Sequence, residues 1–278
     1  MGTPGIAVIG GGNMARALVE GGLRAGLMTP SGITVVEPDE ARRARCVSSG
    51  MGGLARADLL TGRLALDTQI VLAVKPQALD AVARDAASVD LSGRIVISIL
   101  AGTPSERVRM AFGGDVRVVR AMPNLPAQVG QGCTAVAIGA GAVEGDDAFA
   151  VRLFGAVGPV VERVDEMMMD AFTAVAGSGP AYVFYLAEAM ARAAVSLGFT
   201  ADAADRVVRQ VIAGSGAMLA AAGDEPFTSM RAAVTSKGGT TEAACRVLDD
   251  ARIMDAVVRA LSAARDRGRE LARGSGEG

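Results

Sequence analysis

Short β-branched runs recur along this chain up to residue 164 and then stop. They fall at 6–9, 33–37, 69–74, 94–100, 117–121, 134–138 and 159–164. Stretches of helical character lie between most of them, at 14–25, 39–49, 77–87, 104–112 and 146–156. Strands that alternate with helices predict an α/β fold: a parallel sheet, with helices on both faces. Beyond residue 165 only helices are expected, at 167–175, 181–197, 201–221, 240–249 and 254–271. The predicted organisation is a sheet domain over 1–164, a helical domain over 165–273 and a disordered tail over 274–278.

The helical half is apolar on more than one face. Ala193, Ala194, Val195, Leu197, Val207, Val208, Val211, Ile212, Met218 and Leu219 wrap around their helices. A helix that is apolar nearly all round must be buried. Either the bundle is large or it packs against a second copy, so a homo-oligomer formed through this domain is expected.

Composition removes whole classes of chemistry. The chain contains no histidine, so Ser-His-Asp and Cys-His catalysis and most catalytic zinc sites are excluded. Cys46, Cys133 and Cys245 stand far apart, which predicts reduced, buried thiols and no metal site. With 28 basic and 30 acidic residues there is no cationic excess for nucleic acid or an anionic membrane. The longest apolar helix carries Glu188 and Arg192 and is too short to span a bilayer. The opening residues lack the basic-then-apolar pattern of a secretory signal, and a cytoplasmic protein is expected.

The segment GIAVIGGGNMARAL joins the first strand to the first helix. Gly10, Gly12 and Ala15 match the G-x-G-x-x-A pattern of a dinucleotide-binding turn. Gly10 turns the chain sharply, Gly12 lets a pyrophosphate approach, and the helix N-terminus meets its charge. The sheet domain is therefore expected to be Rossmann-like, doubly wound, and to bind NADPH or NADH. Ile9, Gly10, Gly11, Gly12, Asn13 and Met14 form the cradle. Glu37, at the end of the second strand, is placed to bond the ribose 2′-OH, which favours NADH. Arg42 and Arg43 follow it and are placed to meet a 2′-phosphate instead. Ala73, Val74, Lys75 and Pro76 end the strand at 69–74 and are expected along the cofactor. Asn124, between Pro123 and Pro126, sits in a stiff loop suited to positioning the nicotinamide or the substrate.

Two further turns open helices. In Ala176-Gly-Ser-Gly-Pro180, Ser178 is either a helix cap or a ligand contact. In Ser236-Lys-Gly-Gly-Thr-Thr241, three hydroxyls and two glycines precede a helix, which predicts a small anion site.

The motifs GIAVIGGGNMARAL, VLAVKPQ, RAMPNLPA, AGSGPAYVFYLAEAM and SKGGTTEAA, in this order, resemble those of the pyrroline-5-carboxylate reductases over residues 5–270. The resemblance implies a Rossmann domain followed by an all-α dimerisation domain. It implies NAD(P)H-dependent reduction of 1-pyrroline-5-carboxylate to L-proline. Gly238, Gly239, Thr240 and Thr241 would then offer N–H groups to the substrate carboxylate. Ser236 would add a hydroxyl there, Ser178 would join the substrate site, and Thr241 would act as the catalytic residue beside the ring nitrogen. Two positions depart from the family pattern: Lys237 replaces a proline in Ser-Pro-Gly-Gly, and Leu125 replaces a threonine in Met-Pro-Asn-Thr-Pro. Neither removes a hydroxyl from the second turn. The β-hydroxyacid dehydrogenases share the domain plan but need a lysine early in the helical half, and none lies between Lys75 and Lys237. A non-catalytic nucleotide-binding protein on the same fold is the other alternative.

Overall fold

The computed structural model describes residues 5–65 and 67–274. The first half alternates β1 (Ile6–Ile9), α1 (Asn13–Arg24), β2 (Ile33–Val36), α2 (Glu40–Ser48), β3 (Gly52–Leu54), β4 (Gln69–Leu72), α3 (Leu79–Asp85), β5 (Ile95–Ser98), α4 (Ser105–Ala111) and β6 (Arg117–Met122). Then come β7 (Cys133–Ile138), α5 (Ala148–Gly155) and β8 (Val160–Arg163). The eight strands form one sheet in the order β3-β2-β1-β4-β5-β6-β7-β8. The chain builds outward from β1 to β3, then returns to β4 on the other side. The resulting switch point lies between β1 and β4, beyond whose carboxyl ends ligands bind in open α/β sheets.

The central strands β1, β4 and β5 are apolar because both faces are covered. In β1, Ile6 and Val8 pack with Leu18, Val19, Leu153 and Phe154 of α1 and α5. Ala7 and Ile9 point the other way and pack with Leu79 and Val108 of α3 and α4.

Two features depart from the expected sheet. β7 runs antiparallel to β6, whereas an all-parallel sheet was predicted. Only the 3₁₀ segment Leu125–Val129 and a left-handed Gly130 connect them, too little chain for a crossover helix, so the strand must double back. β3 was not anticipated. Its sequence is Gly-Gly-Leu, and it is a strand only because it pairs with β2 at the sheet edge.

After the sheet come α6 (Met169–Phe172), a π-helical turn (Thr173–Gly177), α7 (Gly179–Ser196), α8 (Ala201–Ala221), α9 (Phe227–Ala233), α10 (Thr240–Asp250) and α11 (Ile253–Gly274). The short α9 was also unanticipated. The sheet ends at Arg163, but its compact unit continues through Ser178 and takes up the chain again from Ala264. The second unit is Gly179–Ala263. Of the tail expected over 274–278, Gly274 closes α11 and the remainder lies outside the described residues.

The helical unit has almost no core of its own. α7, α9 and α10 bury no residue, and α8 buries only Ala204 and Val208. Tyr185, Leu197 and Phe227 are each more than three-quarters exposed.

Candidate active site

The first glycine turn is built by steric necessity at one position. The Gly10 N–H donates to the Val36 carbonyl at 2.8 Å, which carries the β1–β2 ladder one residue further. The backbone then turns with Gly10 at φ +102°, a conformation that favours glycine. A Cβ there would lie 2.6 Å from the Ala73 carbonyl oxygen. Gly10 thus lets the ends of β1 and β4 close on each other at the switch point.

Gly12 differs. It is the N-cap of α1, with extended dihedrals, and a Cβ on it would meet nothing within 4 Å. The space above it is open, as the approach of a pyrophosphate requires. No side chain caps α1 and no acidic residue occupies its first turn. The N–H groups of Asn13, Met14 and Ala15 therefore keep their positive end for an outside anion. These residues fit a dinucleotide phosphate.

Glu37 closes the turn from the β2 side. It is buried, and its Oε2 accepts from the Gly11 N–H at 2.7 Å while Oε1 accepts from the Asp39 N–H at 2.9 Å. Arg42 stands 3.9 Å from Oε2, and Arg43 donates to the Glu37 carbonyl at 2.8 Å. The carboxylate is therefore fixed rather than free to swing. Ala73, Val74, Lys75 and Pro76 follow β4 on the other side of the turn, with the Lys75 side chain exposed. The structure thus brings together residues 9–14, Glu37 and the start of the segment that follows β4.

Asn124, expected beside the cofactor or the substrate, also has an internal role. It is buried; its Oδ1 accepts from the Cys133 N–H at 2.9 Å and its Nδ2 donates to the Ala176 carbonyl at 3.1 Å. Ser178 is not a helix cap. Its φ −86° and ψ −17° are helical, whereas a capping residue is extended.

A polar cluster went unnoticed in the sequence. Glu166, just past β8, accepts from the Ser105 N–H at 2.7 Å and from the Ser105 hydroxyl at 2.5 Å. Buried Arg120 reaches the same carboxylate at 3.3 Å. The cluster ties the chain leaving the sheet to the start of α4. An arginine inside the apolar run of β6 was the one available signal.

The second turn lies in the helical unit and is partly self-bonded. Gly238 has φ +73° and donates its N–H to Glu242 Oε2 at 2.7 Å. Gly239, the N-cap of α10, donates to the Ser236 carbonyl at 3.0 Å. Both glycine N–H groups, expected to serve a ligand, are bonded within the turn itself. α10 has no side-chain cap, so the N–H groups of Thr240 and Thr241 remain at its open end. Among the described residues, the hydroxyls of Ser236, Thr240 and Thr241 have no hydrogen-bond partner.

The cysteines are half-buried rather than buried. Burial raises the Cys46 and Cys133 thiols above their ordinary range, with Glu37 adding to the first and Glu162 to the second. Among the described residues no three metal-ligating side chains come together, and no helix is long and apolar enough to cross a membrane.

Comparison with known proteins places this geometry. The family model described as pyrroline-5-carboxylate reductase dimerisation matches residues 166–271. That of NADP oxidoreductase, coenzyme F420-dependent, matches residues 5–102. The pyrroline-5-carboxylate reductase of Vibrio alginolyticus is 36% identical over 266 residues, covering 96% of this chain and 97% of the relative. The solved structure of a pyrroline-5-carboxylate reductase from Coxiella burnetii superposes with a TM-score of 0.86 at 32% identity, covering 98% of this chain and 99% of that one. Pyrroline carboxylate reductase of Plasmodium falciparum, solved with NADP bound, gives 0.83 at 25% identity over 98% and 99% of the two chains. The chain belongs to the pyrroline-5-carboxylate reductase family, NAD(P)H-dependent oxidoreductases that reduce 1-pyrroline-5-carboxylate to L-proline, and it forms a homo-oligomer.

Proposed function

We propose that the open N-terminus of α10 holds the substrate. The observation that carries this reading is a glycine-capped helix start with three hydroxyls around it and no side-chain cap. The substrate is a small ring with one carboxylate and one C=N bond. Its carboxylate takes the N–H groups of Thr240 and Thr241 and the Ser236 hydroxyl. Charge-assisted hydrogen bonds of this kind contribute about 1.5–3 kcal/mol each. The Ser178 hydroxyl makes a further substrate contact.

The cradle on α1, with Glu37 and Ala73, Val74, Lys75 and Pro76, holds the nicotinamide cofactor. When bound, the reduced cofactor supplies a hydride to the imine carbon. The Thr241 hydroxyl stands beside the ring nitrogen, where it hydrogen-bonds the protonated imine and steadies the proton as the nitrogen becomes an amine. An iminium is already electrophilic, so a histidine acid is not needed, and none is present. The protein supplies orientation and a dry surrounding.

The fixed Glu37 carboxylate favours NADH: it accepts from a 2′-OH and repels a 2′-phosphate. NADPH remains usable because Arg42 lies close by. The functional division we favour is a cofactor domain over 1–164 and a helical domain over 165–273, with assembly through the latter. The near-neutral charge and the free cysteines support a cytoplasmic enzyme without nucleic-acid or membrane partners.

The test is a spectrophotometric assay of the purified protein on 1-pyrroline-5-carboxylate, with NADH and NADPH in parallel. Turnover to proline with a higher kcat/KM for NADH is expected. A preference for NADPH removes the role given to Glu37, and no turnover with either cofactor removes the reading of the second turn.

A further inference from the structure

We propose that Asn124 is a positioning residue for this reduction: its amide replaces the N–H that Pro180 lacks, and so fixes the π-helical turn that carries Ser178. The inference rests on the reading of Ser178 as a substrate contact.

In a regular helix the Ala176 carbonyl would accept from the residue four places on. That residue is Pro180, which has no N–H and whose ring crowds the carbonyl four residues before it. The backbone widens at this point: Thr173–Gly177 is π-helical, and the Ser178 N–H reaches back five residues to the Thr173 carbonyl at 2.8 Å. Such one-turn bulges gather at functional sites. The carbonyl left without a helical donor takes the Asn124 Nδ2, at 3.1 Å. The opposite end of the amide is pinned by the Cys133 N–H, so the donor cannot rotate away. Pro123 and Pro126 stiffen the loop on either side. Met122, two residues earlier, closes on Gly177, where a Cβ would lie 3.0 Å from its Cε. The end of β6 thus holds the turn at two points. Ser178 follows at once, half-buried, its hydroxyl without a partner among the described residues.

Three variants test the idea on the full-length protein. Asn124→Asp keeps the acceptor for Cys133 but loses the donor for Ala176. Pro180→Ala returns a backbone N–H to the same carbonyl and lets the turn relax toward an ordinary helix. Ser178→Ala removes the hydroxyl. The readouts are KM for 1-pyrroline-5-carboxylate, the NADH Kd from nicotinamide fluorescence, and Tm. Asn124→Asp and Pro180→Ala are each expected to raise the substrate KM about tenfold while the NADH Kd stays within about twofold. Pro180→Ala should also melt higher, since it removes a helix breaker. Combining Asn124→Asp with Ser178→Ala should raise KM no further than Ser178→Ala alone, because the two act through one group.

A merely structural role would shift Tm in both variants and leave KM unmoved, and that result overturns the proposal. So does a double variant whose effects multiply. If Asn124→Asp does not fold, Pro180→Ala decides the matter by its own KM. A raised KM in Ser178→Ala beside unmoved values in the other two overturns this inference alone. A wild-type KM in Ser178→Ala overturns the reading of Ser178 and takes the inference with it.

Discussion

The sheet unit and the helical unit are both rich in apolar residues, yet they use them differently. Every residue of β1 is at most 2% exposed, and each of its faces finds helices of its own chain to cover it. In the helical unit most of the large apolar side chains of α7 and α8 stay outside. Four consecutive residues of α7, from Val183 to Leu186, are all exposed. Exposed apolar patches of this extent mark surfaces that another molecule covers. One half of the chain carries its own core; the other is a core awaiting its complement, as the dimerisation match at residues 166–271 requires.

The largest expected effect breaks that complement. Leu186→Glu places a carboxylate on the apolar face of α7, and burying it without a partner costs roughly 4 kcal/mol or more. Light scattering should show the oligomer dissociated, and Tm of the wild-type protein should fall on dilution because assembly and folding are linked. An unchanged mass and a concentration-independent Tm would mean that α7 is covered by something other than a second copy.

The sheet unit should resist such a change but fail at a single glycine. Gly10→Ala forces a Cβ against the Ala73 carbonyl and a side chain into φ +102°. We expect a loss of roughly 2–4 kcal/mol in urea unfolding, with NADH binding weakened beyond tenfold. Gly12→Ala should leave stability nearly untouched while also weakening NADH, since its Cβ meets only open space. Equal stability losses in the two variants would erase the distinction between a glycine needed by the chain and one needed by the ligand.

Periodicity made most elements legible: α8 has the expected bounds, and seven of the eight strands were anticipated. β3 escaped because Gly-Gly-Leu has little strand propensity, and only its pairing with β2 makes it a strand. The reversal at β7 was legible in principle, since no helical stretch separates 121 from 134. At the site, residue types and turns were readable from sequence, but the destinations of individual N–H groups were not. Gly238 and Gly239 look like free donors until Glu242 and Ser236 are seen to take them. Nothing in the spacing tells that both ends of the Asn124 amide are bonded within the chain. Hydrogen-bond partners depend on rotamers and long-range packing, which spacing does not encode.

The third prediction concerns chemistry alone. Thr241→Ala should lower kcat/KM at least about tenfold, the equivalent of about 1.4 kcal/mol, and leave Tm and NADH binding unchanged. A wild-type rate would remove Thr241 from the reaction.

The smallest effect sharpens the contrast between the two glycine turns. The first is closed by a buried carboxylate, Glu37; the second by the half-buried Glu242, whose bond to the Gly238 N–H is exposed. A buried acceptor held by two N–H groups should be indispensable to its turn, whereas an exposed bond exchanges readily with water. Glu242 also puts a negative charge beside the place we propose for the substrate carboxylate, and it occupies the Gly238 N–H. Glu242→Gln keeps an acceptor for that N–H and removes the charge. The substrate KM should therefore fall, by about two- to threefold, with kcat unchanged. Because the repulsion acts through solvent, the difference between variant and wild type should shrink as salt is raised toward 1 M, where screening lengths fall to about 3 Å. A KM that instead rises tenfold would make Glu242 a needed part of the second turn, and the two turns would then be closed by carboxylates of equal importance.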